Sequence, residues 1–272
     1  MGKQLLEGKN GIIFGALDEL SIAWKVAERA KDEGANFVLT NAPVALRMGK
    51  IKDLAEKTGS QLVAADATNM EDLGNLLDVA EKEFGKIDFV LHSIGMSPNV
   101  RKKRTYTNLN YDWLHKTYDI SAMSFHKIMQ ALYQRDMMNE WGSILGLSYV
   151  AAQRTFSEYN DMAEAKSLLE SIARSFGYHY GKKANVRVNT VSQSPTPTTA
   201  GTGVAGFDKM LGYGAAMSPL GNATAEECAD YCIMMFSDYT RKVTMQNLFH
   251  DGGFSSVGIS ADLLEAMDFS GE

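Results

Sequence analysis

Short apolar runs alternate with longer amphipathic stretches along the chain. The runs at 11–16 (GIIFGA), 36–41 (NFVLTN), 61–65 (QLVAA) and 87–93 (IDFVLHS) have the length and composition of strands. So do 142–148 (GSILGLS), 185–192 (NVRVNTVS) and 244–250 (TMQNLFH). Between them, apolar residues recur at helical spacing over 21–33, 46–58, 70–84, 111–135, 159–181 and 224–237. Continuously apolar strands separated by helices belong in a parallel sheet covered on both faces. Right-handed crossovers then predict an α/β, Rossmann-type doubly wound sheet of about seven strands. These elements use nearly all of the 272 residues, so 1–272 reads as one domain. Two segments break the alternation: 96–110 after the fourth strand and 193–222 after the sixth. Both fall at carboxyl ends of strands, where open α/β sheets bind ligands.

Composition narrows the partners. Hydrophobic residues make up 45% and charged residues 22%, as in ordinary globular proteins. A formal charge of −6 argues against nucleic acid, which calls for a basic face. Cys228 and Cys232 have no good companion ligands nearby and read as structural thiols in a reducing compartment. The histidines at 92, 115, 126, 179 and 250 lack metal-ligand spacing, so no metal is expected. The first residues contain neither a long apolar segment with a cleavage site nor the Ser or Thr that favours myristoylation. No apolar run is long enough to span a bilayer, so a cytoplasmic location off the membrane is expected. The sequon at Asn222 is then incidental.

The first strand runs into GALDELSIA (15–23), a glycine turn that opens a helix and can bring backbone N–H groups to a pyrophosphate. The further glycines of the usual fingerprint are absent. Gly15 is followed by five residues and then Ser21, which can cap the helix and donate to a phosphate oxygen. Alone, this fits a capped turn equally well. Asp18 and Glu19 are unfavourable beside phosphate and are expected to point outward. Asp66 follows the third strand, where an acid either accepts from an adenine amino group or caps a helix. Gly95 in HSIG (92–95) ends the fourth strand, as a simple turn glycine or as room for a ribose close to backbone. All three lie at one edge of the sheet, which favours a dinucleotide site.

Tyr159 and Lys166 lie seven residues apart in a predicted helix. Seven residues turn through about 700°, which returns to within about 20° of the same face. Such pairs arise by coincidence, but this one follows the fifth strand. A lysine there can hold nicotinamide ribose hydroxyls and polarise a nearby phenol. A tyrosine can donate to an oxygen that gains charge as hydride arrives.

Short-chain dehydrogenases usually place the tyrosine four residues before the lysine, and here that position is Met162. The pattern Tyr149, nine residues, Tyr159, six residues, Lys166 instead resembles enoyl-acyl carrier protein reductase of bacterial type II fatty-acid synthesis. The resemblance extends through SIA (21–23), HSIG (92–95), ISAMSF (120–125), LSY (147–149), YNDMAEAK (159–166), NVRVN (185–189) and HDGGF (250–254), essentially the whole chain. It implies reduction of the 2,3 double bond of trans-2-enoyl thioesters by NADH. Hydride reaches the β-carbon while charge appears on the thioester oxygen, farther along the substrate. Moving the donor three residues along a helix shifts it about 4.5 Å and suits that oxyanion.

The resemblance makes Tyr159 the donor to the enolate, Lys166 the cofactor anchor and Tyr149 a second active-site tyrosine, with the α-carbon protonated from solvent or a relay. It places NADH against Gly15, Ser21, Ile22, Asp66, Ala67, Ser93, Ile94, Gly95, Lys166, Thr196, Thr198, Thr199 and Ala200. Substrate is placed against Ser97, Tyr149 and Tyr159. An acyl carrier protein thioester partner and a homotetramer are further implications.

After the sixth strand the family commonly has Ala-Gly-Pro-Ile, whereas this chain has QSPT (193–196), with Ser194 in place of glycine. Thr196 matches a position that contacts nicotinamide through backbone. After strand two come Asn41, Ala42 and Pro43, with Arg47 the nearest cation, which favours NADH over NADPH. The segment 196–217 is expected to form a lid, loosened by Gly201, Gly203, Gly206, Gly212 and Gly214. Its Val204, Phe207, Met210 and Leu211 can cover a fatty chain, or, at helical spacing, form a fixed helix. Ser148 stands roughly where short-chain dehydrogenases keep a serine but fits strand-end packing better, and RKKR (101–104) is a solvated charge run or an attraction for an acidic carrier. The competing functions are a ketone or alcohol reductase, disfavoured by Met162, and a non-catalytic nucleotide sensor, disfavoured by retention of Tyr159 and Lys166.

Overall fold

The structure, a computed structural model, describes residues 4–199, 201–202 and 206–267. Seven strands form one sheet: β1 (Asn10–Phe14), β2 (Asn36–Asn41), β3 (Gln61–Ala64), β4 (Ile87–His92), β5 (Met138–Ser148), β6 (Arg187–Gln193) and β7 (Asn247–His250). Their order is β3-β2-β1-β4-β5-β6-β7, and every neighbouring pair is parallel. The chain builds outward from β1 to β3, then returns to lay β4 on the other side of β1. That reversal opens a crevice at the carboxyl ends of β1 and β4.

Eleven α-helices connect or follow the described strands: α1 (Ile22–Asp32), α2 (Pro43–Met48), α3 (Ile51–Thr58), α4 (Met70–Phe84), α5 (Pro98–Arg101), α6 (Tyr111–Tyr118), α7 (Ser124–Gln134), α8 (Asn160–Ala184), α9 (Phe207–Met217), α10 (Ala225–Phe236) and α11 (Ala261–Ala266). Two apolar cores lie on the two faces of the sheet. One packs Leu73, Leu76 and Leu77 of α4, Phe125 of α7 and Leu169 of α8 against Ile12, Val90, Ile144 and Val188. The other packs Trp24 of α1, Leu54 of α3 and Phe236 of α10 against Ile13, Leu39, Phe89 and Leu145. This two-sided burial is what the continuously apolar strands required.

Several boundaries differ from the sequence pattern. The helix expected over 46–58 is two: α2 starts at Pro43, and the chain breaks at Gly49 and Lys50, whose N–H bonds Leu17 O at 2.9 Å. The stretch 111–135 is α6 and α7 joined by a π-helical turn at Asp119–Met123. β5 begins at Met138 because the register slips between Ile87 and Phe89, with Trp141 at φ +63°. α8 runs to Ala184, and Asn185, at φ +54°, closes it before β6. The start expected at 224 is realised as a capping box between Thr224 and Glu227.

Candidate active site at the β1–β4 crevice

Gly15 opens the crevice. Its φ is +98°, and a Cβ there would collide with Ser93 O at the end of β4. Glycine is thus required by the close approach of two strand ends. Ser21 does not cap α1. Its Oγ donates to Asp18 O at 2.7 Å and accepts from Leu17 N at 3.2 Å, so the hydroxyl braces the turn. The consequence favours an anion: α1 begins without a side-chain acceptor, from Ile22 onward, at the glycine turn.

Asp18 is not turned outward. Its Oδ1 accepts from Leu20 N and its Oδ2 from Thr199 Oγ1, which ties the first turn to the loop after β6. Glu19 does stay at the surface, beside Lys50. Asp66 spends Oδ1 on Thr68 N and Thr68 Oγ1, so that oxygen holds the turn after β3. Ala67 beside it is buried. Asn41 donates to Ala16 O and accepts from Ala42 N, which fixes the end of β2 next to the glycine turn, while Arg47 is exposed.

Ser93, Ile94 and Gly95 continue from β4 into the crevice, each partly buried. A Cβ on Gly95 would lie 2.9 Å from Met162 Cε and 3.7 Å from Lys166 Nζ. Met162 and Lys166 of α8 thus lie directly over Gly95. Lys166 itself is buried, and its Nζ donates to Leu147 O at 2.6 Å. Burial pulls its pKa down to about 8, against the opposing pull of Glu170.

Tyr159 reaches the same place by a different route from the one helical periodicity predicts. It is the residue before α8, and Asn160 follows it at φ +44°, a left-handed conformation that interrupts the helix. The shared-face argument therefore fails at its first step. The ring is held by Tyr149, 5.0 Å away between centroids at 57°. Phe156 lies 5.4 Å from Tyr149, and Phe254 lies 6.0 Å from Phe156. Met210 of α9 packs on the same cluster. Burial pushes both phenols up, and Lys166 adds no lowering at Tyr159. Tyr159 is a neutral hydrogen-bond donor, not a polarised phenolate.

The hydroxyl of Ser97, expected at the substrate, is engaged within the protein. Its Oγ donates to Asp161 Oδ1 at 2.6 Å and accepts from Val100 N at 3.1 Å, and the residue is buried. Asn99 Nδ2 and Thr117 Oγ1 both donate to Asp161 Oδ2 at 2.9 Å. Asn160 Nδ2 donates to Arg104 O. The irregular segment 96–110 is thereby fastened to the start of α8. Glu164 adds hydrogen bonds from Tyr106 and Tyr118. Residues 101–103 of the basic run are exposed, while Arg104 lies over the Trp113 ring at 5.8 Å.

On the β6 side, Thr196 is buried and its Oγ1 donates to Ser194 O, while Thr198 Oγ1 accepts from Gly201 N. Ser194 Oγ accepts from Ala223 N, so serine at this position serves the loop geometry. Ala200, Gly203 and Val204 lie outside the described residues. Phe207 and Met217 of α9 are buried, and Met210 and Leu211 are partly so. Asn222 Nδ2 and Ser260 Oγ bond the Leu211 and Ala216 carbonyls.

Asp161 and Glu170 carry no forecast from the sequence. For Glu170 the signal was its spacing, one turn beyond Lys166. Ser148 bonds Glu170 Oε1 at 2.7 Å. His92 is structural: its Nε2 meets Ser124 Oγ at 2.8 Å, and burial pulls its pKa down to about 3. Among the described residues no cluster of three His, Cys, Asp or Glu can hold a metal, and no helix is long and apolar enough to cross a membrane.

The geometry has counterparts among known proteins. The family model described as enoyl-(acyl carrier protein) reductase matches residues 15–255. The crystal structure of a FabI–NADH complex from Alistipes finegoldii superposes with a TM-score of 0.96 at 63% identity, covering 97% of this chain and 94% of that one. The NADH-type enoyl-(acyl-carrier-protein) reductase FabI of Rickettsia felis is 31% identical over 93% of this chain and 97% of its own length. NADH-type reductase 1 of Rhizobium meliloti is 32% identical over 98% of this chain and 96% of its own.

Proposed function

The chain belongs to the enoyl-(acyl carrier protein) reductase family, and on that premise we propose that Tyr149, Tyr159 and Lys166 carry its chemistry. It is an NADH-dependent enoyl-acyl carrier protein reductase of fatty-acid elongation, within the short-chain dehydrogenase superfamily. The observation that supports the site assignment is the tilted Tyr149–Tyr159 ring pair, with Lys166 buried close to Gly95 at the end of β4.

The residues fit NADH. The glycine turn and the uncapped start of α1 suit the pyrophosphate, and Gly95, with no side chain of its own, lets a ribose approach the backbone once the flexible end of Met162 moves aside. Lys166 is placed to bind ribose hydroxyls. We further assign Ile22, Ala67, Ser93, Ile94, the Thr196 backbone, Thr198 and Thr199 to the cofactor; Ala200, expected with them, lies outside the described residues. NADH, when bound, supplies the hydride for the β-carbon. Tyr159 donates its O–H to the thioester oxygen as that oxygen gains charge, and its buried surroundings strengthen the bond. Tyr149 and the apolar cluster exclude water from the acyl chain. Met162, buried where a carbonyl reductase needs its acid, disfavours the ketone reductase alternative.

The acyl carrier protein is the substrate's bearer, and we place the enzyme in the cytoplasm as a homotetramer. The deciding assay is oxidation of NADH by a 2-enoyl thioester beside a 3-keto thioester. Turnover of the keto substrate alone would replace this reading with the ketone reductase. Size by light scattering tests the tetramer.

A further inference from the structure

The face of α8 that presents Lys166 continues one turn on into Glu170, a carboxylate with only 4% exposure. Its two oxygens are used on opposite sides of Tyr149. Oε1 accepts from Ser148 Oγ at 2.7 Å, and Oε2 accepts from Gln153 Nε2 at 3.1 Å. Lys166 Nζ bonds Leu147 O, and Ser167 Oγ bonds Ala152 O at 2.6 Å. α8 therefore grips the chain just before and just after Tyr149, and Glu170 makes a contact on each side. Tyr149 in turn supports the Tyr159 ring.

Both hydrogen-bond donors to Glu170 are neutral. A buried carboxylate so placed is costly unless a positive charge is near. Lys166, buried one turn back on α8, brings a positive charge near it without a direct ion pair, and Glu170 opposes the loss of its proton. The other titratable groups around the two are accounted for. His92 at the end of β4 is neutral. Tyr149 and Tyr159 are pushed upward, Asp251 acts on Tyr149, and Arg174 on the next turn of α8 is exposed.

We propose that Glu170 is a positioning residue for the reduction: it fixes Tyr149 through Ser148 and Gln153, and it is the counter-charge of the buried Lys166 ammonium. The inference rests on the reductase reading of the site.

Two readouts test its two halves. The first is an NMR titration of the Lys166 ε-carbon in enzyme without cofactor, assigned by the signal lost in Lys166→Arg. Wild type should titrate at about 8. Glu170→Gln, which removes the charge, keeps one acceptor for Gln153 and offers an N–H that the Ser148 hydroxyl can accept, should lower the midpoint by about one unit. An unmoved midpoint overturns the counter-charge. The second is turnover at about pH 6.5, where Lys166 is largely protonated in every variant. There Glu170→Gln should keep turnover within about twofold, while Glu170→Ala loses about tenfold. The double variant Ser148→Ala, Gln153→Ala should show the same tenfold loss with the Lys166 midpoint unmoved, so the clamp is tested even if Glu170→Ala does not fold. Full turnover in that double variant overturns the clamp. If wild type oxidises no NADH with an enoyl thioester, the reductase reading falls first and takes this inference with it.

Discussion

Burial acts in opposite senses on Lys166 and Tyr159, and both end up protonated at neutral pH. Lys166 is pulled down to about 8 and Tyr159 is pushed up. NADH affinity should therefore fall as pH rises through about 8 in the free enzyme, which a fluorescence titration across pH measures. An affinity flat from pH 7 to 10 would show that the ammonium is not the anchor. The same shift has a stability side. The folded pKa lies below the unfolded value of 10.5, so the cost of burying the charge is fully present below about 8 and fades as pH rises through 10.5. At about 1.4 kcal/mol per unit, it is on the order of 3 kcal/mol. Lys166→Met should gain stability at pH 7 in urea unfolding while losing NADH. The roles separate further in turnover: Tyr159→Phe should lower kcat and leave NADH affinity nearly intact, whereas Lys166→Ala weakens NADH itself. Equal loss of cofactor in both variants overturns that assignment. The places of Gly15 and Gly95 were legible in the sequence because strand ends fix where they stand, and that of Lys166 because it lies on the helix that follows β5. The partners of the Ser21 and Ser97 hydroxyls, Asp18 O and Asp161, were not legible because they are chosen by the folded loop.

At the level of elements, the start of α8 matters more than its periodicity. Asn160 leaves the helical region at φ +44°, and Asp161 gathers Ser97, Asn99 and Thr117 around a carboxylate with 0% exposure. Together they set the angle at which Tyr159 leaves the helix. Asp161→Ala removes the acceptor of the Ser97 hydroxyl, while Asn99 keeps Asn110 O and Thr117 keeps Trp113 O, and should cost on the order of 2 kcal/mol, read by urea unfolding. A loss near zero would mean that water replaces the carboxylate. None of this was visible in YNDMAEAK, where an acid two residues into a helix looks like an ordinary first-turn acid. The strands were legible to within a few residues, since two-sided burial demands unbroken apolar runs. α9 was foreseen only as an alternative to a loose lid. Phe207 and Met217 anchor it, yet it also lends Met210 to the tyrosine cluster. We expect amide exchange across 196–217 to be fast in the empty enzyme and to slow with NAD⁺ and an acyl analogue. Strong protection without ligand would make it a fixed wall.

Across the whole molecule, the reversal of strand order at β1 and β4 decides where ligands meet, and the charge distribution bears on which partner arrives. The chain is acidic overall at −6, yet Arg101, Lys102 and Lys103 lie exposed together at the end of α5. That run is not remote from the chemistry. Arg104 O accepts from Asn160, the residue after Tyr159, and Asn99 is held by Asp161. A basic cluster on an acidic protein attracts an acidic partner locally while the remaining surface repels it, which favours one docking orientation. We expect the triple change Arg101→Glu, Lys102→Glu, Lys103→Glu to raise KM for an enoyl-acyl carrier protein about tenfold at low salt. With kcat and NADH affinity unchanged, and with the defect shrinking as salt screens the charges, the effect belongs to docking. The control is an uncharged N-acetylcysteamine thioester of the same acyl chain, which has no carrier to dock and should be reduced equally well by both enzymes. If KM rises as much for that thioester as for the carrier-bound one, the basic run acts through the folded segment 96–110 and not through the partner's charge.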